Sequence, residues 1–212
     1  MNHETKAALW RLLWLFTLTS LAGFLLESGE SLWSLGYVQN RQGVLFGPFA
    51  PVYGVGAVTL ALAYPAARRL SPLPAFLLAM LLGTLVEFLW SWGQERLFGV
   101  VFWDYHHFRF HIQGRVNLVF SLFWGCLGLL FWRQLWPRFL RLFPLPPQSA
   151  SALTALVLIL LFSVNGLLST AALLRQAQRR AQLPALSPVQ LYLDRVWPDE
   201  TLKTIFPTMR RI

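Results

Sequence analysis

Several carboxylates occupy unusual positions in this chain, inside long apolar runs or at their ends. Glu87 lies well within one run, Glu95 follows it two helical turns later, and Glu27 ends an earlier run. An ionised carboxylate at the centre of an apolar span costs about 3 kcal/mol. We therefore expect Glu87 to be protonated or paired, which makes it a candidate for binding or proton chemistry; Glu27 could also simply be hydrated.

A loop rich in aromatic and charged residues runs from Arg96 to Arg115. It contains Trp103, Asp104 and Tyr105, and Arg115 stands at the start of the next apolar run. A guanidinium placed there can pair with a carboxylate or a lipid phosphate, and a purely topological role is equally open. The alternation from Phe108 to Gln113 predicts an extended segment.

The histidines of this loop raise the possibility of a metal site. His107 and His111 are four residues apart, with Asp104 nearby. An extended segment would separate them, and no second pair of ligands is evident. We therefore predict no metal site and no cofactor.

A second polar stretch, 40–57, begins with Asn40 and Arg41 and is broken by glycines and prolines. Pro48 and Pro51 remove helix donors, so this backbone cannot face lipid as a regular helix. Any part of it at membrane depth must be shielded by protein or line a wet cavity. We expect it to pack against the loop that carries Arg115 and to form one wall of a site.

The composition identifies the class of protein that carries these residues. Of 212 residues, 56% are hydrophobic and 13% are charged, whereas soluble domains carry about a quarter charged residues. The net charge of +9 is typical of contact with anionic headgroups and gives little support to nucleic-acid binding. Neither a phosphate-binding loop nor a recognised catalytic motif is present, so a non-enzymatic function is favoured.

Five apolar blocks are long enough to suggest an all-α polytopic membrane helix bundle. We predict spans at about 8–27, 51–67, 74–93, 116–136 and 152–174, within a transmembrane unit at 1–180. The remaining 181–212 are predicted to form a tail that either lies on the membrane surface or docks on the bundle. In this tail, Ser187, Pro188 and Gln190 predict a helix start, and Pro198 predicts its end.

Five spans place the loops that carry Arg41 and Asp104 on the same side of the membrane. Opposite charges from both loops can then meet there and offset the cost of burying Glu87. Lys and Arg divide 7 against 11 between the N-terminal side and the opposite side. This division favours a cytoplasmic C-terminus.

Blocks spread over most of the chain resemble a known family of small bacterial membrane proteins, named Putative ABC-transporter type IV. The resemblance rests on the following residues: Gly23-Phe-Leu-Leu-Glu27, Asn40-Arg41 with Gly43 to Gly56, Glu87 with Glu95, Phe98 and Gly99, Trp103-Asp104-Tyr105, Gly114-Arg115-Val116 with Trp124-Gly125, and Phe206-Pro207-Thr208-Met209-Arg210. It implies a multi-pass protein of the bacterial cytoplasmic membrane. The chain departs from the family pattern at His106, at Phe110-His111-Ile112 and near Asn165, which leaves the ligand open.

From these features we predict a transport-related protein, such as a permease or accessory component, that handles a lipid-linked or amphipathic substrate at a charged interfacial cavity. The predicted substrate-binding residues are Glu27, Asn40, Arg41, Tyr53, Glu87, Glu95, Trp103, Asp104, Tyr105 and Arg115. Membrane lipid, a separate ATPase subunit and a second copy of the chain are the expected partners. The alternatives are an enzyme acting on a lipid headgroup and a non-catalytic accessory subunit.

Overall fold

The computed structural model describes residues 3–143 and 148–211 and is helical over most of that length. The longest elements are α1 (His3–Leu35), α2 (Pro51–Ala67), α3 (Pro72–Phe98) and α6 (Gln148–Arg180). Between α3 and α6, α4 (Leu118–Leu130) continues through a π-helical turn (Phe131–Leu135) into α5 (Trp136–Leu142). The predicted all-α membrane bundle is confirmed.

Four helical segments are long and apolar enough to cross a bilayer: Thr5–Leu35, Pro72–Phe98, Leu118–Leu142 and Ala152–Arg180. The helix at the second predicted span, α2, has 17 residues and lies at the short end of the spanning range of about 17 to 25. It packs between α1 and α3. The chain is therefore a multi-pass membrane protein, and its α2 is shorter than each of the four long apolar segments.

Local sequence explains where the helices begin and end. Pro51 and Pro72 open α2 and α3 at positions where the missing N–H costs nothing. The backbone of Gly99, at φ 63°, ends α3 in the left-handed conformation that suits glycine. Asn117 caps α4 by accepting a hydrogen bond from the N–H of Phe120 at 3.0 Å.

Short strands tie the loops and the tail to the bundle. β1 (Val100–Val101) pairs antiparallel with β4 (Arg210–Arg211), and β2 (His111–Ile112) pairs with β3 (Val116–Asn117). The predicted extended segment from Phe108 to Gln113 is thus a strand only at His111–Ile112, because the chain bends at 108–110 and turns at Gln113.

Two apolar clusters hold the bundle together at its two ends. Around α2, small residues such as Ala57, Ala61 and Ala79 let the helices approach closely, as is usual in membrane bundles. The second cluster joins Leu45 and Val100 to the tail and to α6. Large apolar side chains elsewhere on the long helices are exposed, as expected for surfaces that face lipid.

The tail folds back onto the second cluster. It forms α7 (Pro188–Val196), capped by the hydroxyl of Ser187, and α8 (Asp199–Ile205). The predicted helix start at Ser187 and the end before Pro198 are confirmed. Phe206 is almost fully buried in the cluster, so the tail docks on the bundle instead of lying apart on the membrane surface.

Protein groups satisfy the backbone of the glycine- and proline-rich stretch before α2. The N–H of Leu45 donates to Ser169 Oγ at 2.8 Å, and the N–H of Ala50 donates to the carbonyl oxygen of Ser20 at 2.9 Å. The described hydrogen bonds of this stretch go to α1, to α6 and within itself, while Leu45 also packs near Val100 at the start of Arg115's loop. The backbone of this stretch is thus bonded chiefly by α6 and α1 and not by Arg115's loop, while Phe46, Gly47 and Pro48 are exposed.

Candidate functional site

Glu87 on α3 is bound by two uncharged donors. The hydroxyl of Tyr105 donates to Glu87 Oε1 at 2.9 Å, and the indole Nε1 of Trp124 donates to Oε2 at 3.3 Å. The residue is only 8% exposed. The carboxylate is thus held from the 99–117 loop and from α4 at once.

Glycines make room for the aromatic side chains of this site. A Cβ on Gly83 would overlap the indole of Trp124, and one on Gly56 would come within 2.8 Å of the same ring. Likewise, a Cβ on Gly23 would overlap the ring of Tyr53. Because real Cβ atoms do not approach so closely, these glycines fix where the two aromatic residues sit.

A second carboxylate joins the site from α1. Glu27 lies close enough to Tyr53 on α2 to interact with it, and its charge also acts on Glu87. We call Glu27, Tyr53, Glu87, Tyr105 and Trp124 the carboxylate cluster. Four helices and one loop contribute to it, so its geometry depends on the whole bundle.

Tyr105 links the loop to the cluster. Its ring stacks on Phe120, with centroids 5.1 Å apart and an interplanar angle of 26°. Burial and the nearby Glu87 carboxylate raise the pKa of Tyr105 above its ordinary value. The phenol therefore keeps its proton at neutral pH and acts as a donor to Glu87.

The two predicted arginines pair with other carboxylates. Arg115, which is 8% exposed, forms an ion pair with Glu95 and lies over the ring of Phe88 at 5.8 Å. Arg41 lies 3.6 Å from Glu30, and its charge also acts on Glu27. We expected opposite charges to offset the burial of Glu87, but neutral donors hydrogen-bond it instead, because Tyr105 and Trp124 occupy its two oxygens.

The other predicted residues lie at the edge of this arrangement. Trp103 Nε1 donates to the carbonyl oxygen of Arg115 at 2.8 Å and so positions that loop. Asn40 Oδ1 accepts from the N–H of Gln42 at 3.1 Å within its own turn. Asp104 accepts from the N–H of His106 at 2.9 Å, and this hydrogen bond is the main cause of a lowered Asp104 pKa.

The structure thus brings Glu27, Tyr53, Glu87 and Tyr105 together, with Arg41 nearby. Glu95, Trp103 and Arg115 form an adjoining group, whereas Asn40 and Asp104 bond chiefly within their own loops. Sequence reasoning did not assign a role to Trp124. A signal was available, since Trp124 stands between Ser121 and Gly125 on the polar, small-residue face of α4.

The chemistry of the cluster follows from its charges. Two carboxylates that repel one another in a low-dielectric region favour the uptake of a proton or a positively charged group. Tyrosine and tryptophan donors can orient a polar headgroup beside them. Within residues 3–143 and 148–211, no group of three or more His, Cys, Asp or Glu side chains is arranged to hold a metal ion.

Comparison with known proteins adds one finding. No curated protein and no solved structure matches the chain. A family model described as Putative ABC-transporter type IV matches residues 14–170, a range that includes the carboxylate cluster and the Arg115–Glu95 pair. Since this match covers well over half of its length, the chain belongs to the Putative ABC-transporter type IV family.

Proposed function

We propose that the chain is a transport-related membrane component that handles a lipid-linked or amphipathic substrate at the carboxylate cluster and the adjoining Arg115–Glu95 pair. The observation that carries this proposal is Glu87, a nearly buried carboxylate held by Tyr105 and Trp124 and coupled to Glu27. Carboxylates within spans are costly to keep and typically mark pathways for substrates, ions or protons. The family name points in the same direction.

The aromatic surroundings favour an amphipathic substrate. Tyr105 stacks on Phe120, and Trp103 lies in the same loop, so rings and charges alternate around the site. Such a surface can hold an apolar chain beside a charged headgroup. Arg41 and Arg115 would offer partners for a phosphate, while Glu27 and Glu87 would accept a cationic group.

As an ABC-type component, the chain would act with a separate ATPase, because no phosphate-binding loop occurs in its sequence. A second copy of the chain would enlarge the transmembrane unit. The expected location is the bacterial cytoplasmic membrane. Affinity purification of the tagged chain from its native membrane should recover an ATPase; recovery of none, with no phenotype when each candidate ATPase is deleted, would contradict this part of the proposal.

The substitution Glu87→Gln tests the role of the cluster. It keeps the shape of the side chain but removes the negative charge, so we expect transport to fall at least about tenfold while the protein still folds. Glu200→Gln, on the exposed face of α8, is the matched control and should behave as wild type. The readout is lipid analysis of cells that lack the gene and are complemented with each variant.

The same analysis separates the two alternatives. The ion pair of Arg115 with Glu95 is the feature that favours an enzyme acting on a lipid headgroup. An enzyme changes which lipid species are present, whereas a transporter changes only their distribution between the leaflets. Wild-type phenotype and stability in both Glu87→Gln and Arg115→Gln would instead support an accessory subunit without a site.

A further inference from the structure

An apolar groove of about 350 Å³ lies between α1 and the α4–α5 helix, and none of its lining residues belongs to the carboxylate cluster. Its α1 wall carries Leu15 and Thr19, which precede Glu27 by at least two helical turns. The other wall comes from the π-helical turn and from α5: Phe131, Leu135, Arg138, Phe139 and Leu142. The volume is at the lower end of the range for ligand sites, about 300 to 1,000 Å³.

The π-helical turn shapes this groove. The N–H of Trp136 bonds to the carbonyl oxygen of Phe131, five residues earlier, so the turn is wider than an α-helical one. Pro137 follows at once and cannot donate a backbone hydrogen bond. The wider turn and the missing donor make the junction between α4 and α5 irregular. Helix irregularities of this type often occur at functional sites.

The groove has apolar walls and one cationic group. The hydroxyl of Thr19 is already used, because it donates to the carbonyl oxygen of Leu15 at 2.6 Å. Arg138 is exposed, and its Nη1 donates to Gln134 at 3.0 Å. None of the ion pairs among residues 3–143 and 148–211 involves Arg138.

A second arginine lies close by on α1. Arg11 precedes Leu15 by one helical turn and shares its face, and its Nε is buried without a hydrogen-bond partner among the described residues. The neighbouring Arg133 donates to the carbonyl oxygen of Leu70 at 2.7 Å, which places this region beside the turn between α2 and α3. Arg68 and Arg69 lie in that turn.

This end of the bundle is therefore basic. The carboxylates that follow Glu4 all lie toward the opposite end, on the second half of α1, the second half of α3, the 99–117 loop and the tail. An apolar groove beside arginines that form no ion pair among the described residues complements one type of ligand, an acyl chain attached to a phosphate. Basic residues near an anionic membrane surface favour such binding.

We propose that the groove binds one anionic phospholipid, with an acyl chain against Leu15, Phe131 and Leu135 and the headgroup phosphate at Arg138, assisted by Arg11. This lipid site is separate from the carboxylate cluster and does not depend on the function proposed for it. Its occupant links α1 to α5, so binding stabilises the folded bundle.

Thermal unfolding of the purified chain in detergent tests the site. Phosphatidylglycerol should raise the unfolding midpoint in a saturable manner, and phosphatidylcholine with the same acyl chains should act only at much higher concentration. Inorganic phosphate at equal concentration should give no shift. Equal shifts with both lipids, or a shift with inorganic phosphate alone, would overturn the proposal.

Variants then locate the effect. Arg138→Gln should raise the half-saturating concentration of phosphatidylglycerol about tenfold, as expected for the loss of a charge-assisted hydrogen bond. Arg138→Lys, which keeps the charge, should fall between this variant and wild type. Arg141→Gln is the matched control, since Arg141 is exposed on α5 but does not line the groove. Equal loss in Arg138→Gln and Arg141→Gln would indicate diffuse charge attraction and refute a defined site.

A groove-filling variant tests the acyl-chain wall separately. Leu135 is 43% exposed, so Leu135→Trp can fill the groove without disturbing the core. Saturable stabilisation by phosphatidylglycerol should be lost although Arg138 is intact. An unchanged response in Leu135→Trp would show that the lipid chain lies elsewhere.

Discussion

Glu87 illustrates how a membrane bundle can keep a carboxylate without giving it a cation. Its two oxygens accept from a phenol and an indole, and both of these donors are amphipathic groups that tolerate apolar surroundings. Neutral donors satisfy the hydrogen bonds but leave the charge uncompensated. Glu87 is thus ready to respond to a proton or to a charged substrate group, whereas an arginine partner would have neutralised it.

The position of Trp124 depends on Gly83. Because a Cβ at Gly83 would overlap the indole, Gly83→Ala should displace Trp124 from Glu87 and destabilise the chain by about 1 to 3 kcal/mol, the usual cost of overpacking. The free energy of unfolding can be measured by denaturation in mixed detergent micelles. Loss of the Trp124–Glu87 contact should also shift the tryptophan fluorescence.

Gly93 on the same helix provides the matched control. A Cβ there meets no atom within 4 Å, so Gly93→Ala should leave the cluster intact and should favour the helix by up to about 1 kcal/mol. If both alanine variants had the same stability and fluorescence, close packing at Gly83 would not be what holds Trp124.

At the scale of elements, side chains of α6 supply the hydrogen-bond partners that the irregular backbone before α2 needs. Asn165 brackets Phe46: its Oδ1 accepts from the N–H at 3.1 Å, and its Nδ2 donates to the carbonyl oxygen at 2.6 Å. Ser169, one turn further, accepts from Leu45. A spanning helix therefore satisfies irregular backbone at a depth where lipid cannot.

Asn165→Ala should consequently destabilise the fold. Asn165 is only 4% exposed, and its loss would leave both backbone groups of Phe46 without these partners, at a cost of about 1 to 3 kcal/mol in the free energy of unfolding. Protease cleavage within residues 39–50 should also become faster. Gly166→Ala, where a Cβ meets open space, is the neighbouring control and should do neither. Unchanged cleavage in Asn165→Ala would show that the hydrogen bonds of Asn165 do not hold this stretch in place.

The positions of the helices were largely predictable from the sequence, whereas the side-chain contacts between them were not. Apolar length located the five helical regions, and local rules located the cap at Ser187 and the stop before Pro198, since each depends on only a few neighbouring residues. The need to shield the backbone of residues 40–57 also followed from local chemistry. These features do not require knowledge of which helices touch.

Pairing, in contrast, depends on the three-dimensional arrangement. The sequence placed Glu87, Tyr105 and Arg115 near the same face, but it could not show that Tyr105, and not an opposite charge, bonds Glu87. The other oxygen accepts from Trp124, whose position depends on glycines of two other helices. Similarly, the docking of the tail rests on Arg175 and Asp194, 19 residues apart and 2.8 Å from each other.

On the scale of the whole molecule, the two ends of the bundle differ in how their charges are used. At the tail end, Arg115, Arg175 and Arg179 are paired with carboxylates. Around the groove between α1 and α5, arginines lie beside apolar surface and form no ion pair with any carboxylate in the described part of the chain. The molecule thus combines one end with internal charge compensation, which holds the loops and tail together, and one end whose arginines remain available to lipid phosphates.

The number of crossings determines how these two ends are placed. If the 17-residue α2 crosses the membrane as the other four segments do, the chain crosses five times and its termini lie on opposite sides. Cys126 is the single cysteine, so a Cys126→Ala background allows labelling of Lys6→Cys and Lys203→Cys, both at exposed positions, with a membrane-impermeant maleimide. We expect these two cysteines to be labelled from opposite sides of the membrane.

Arg109→Cys, in the 99–117 loop, should be labelled from the same side as Lys203→Cys. The larger number of basic residues on that side predicts that both face the cytoplasm. Labelling of Lys6→Cys and Lys203→Cys from the same side would mean that α2 does not span.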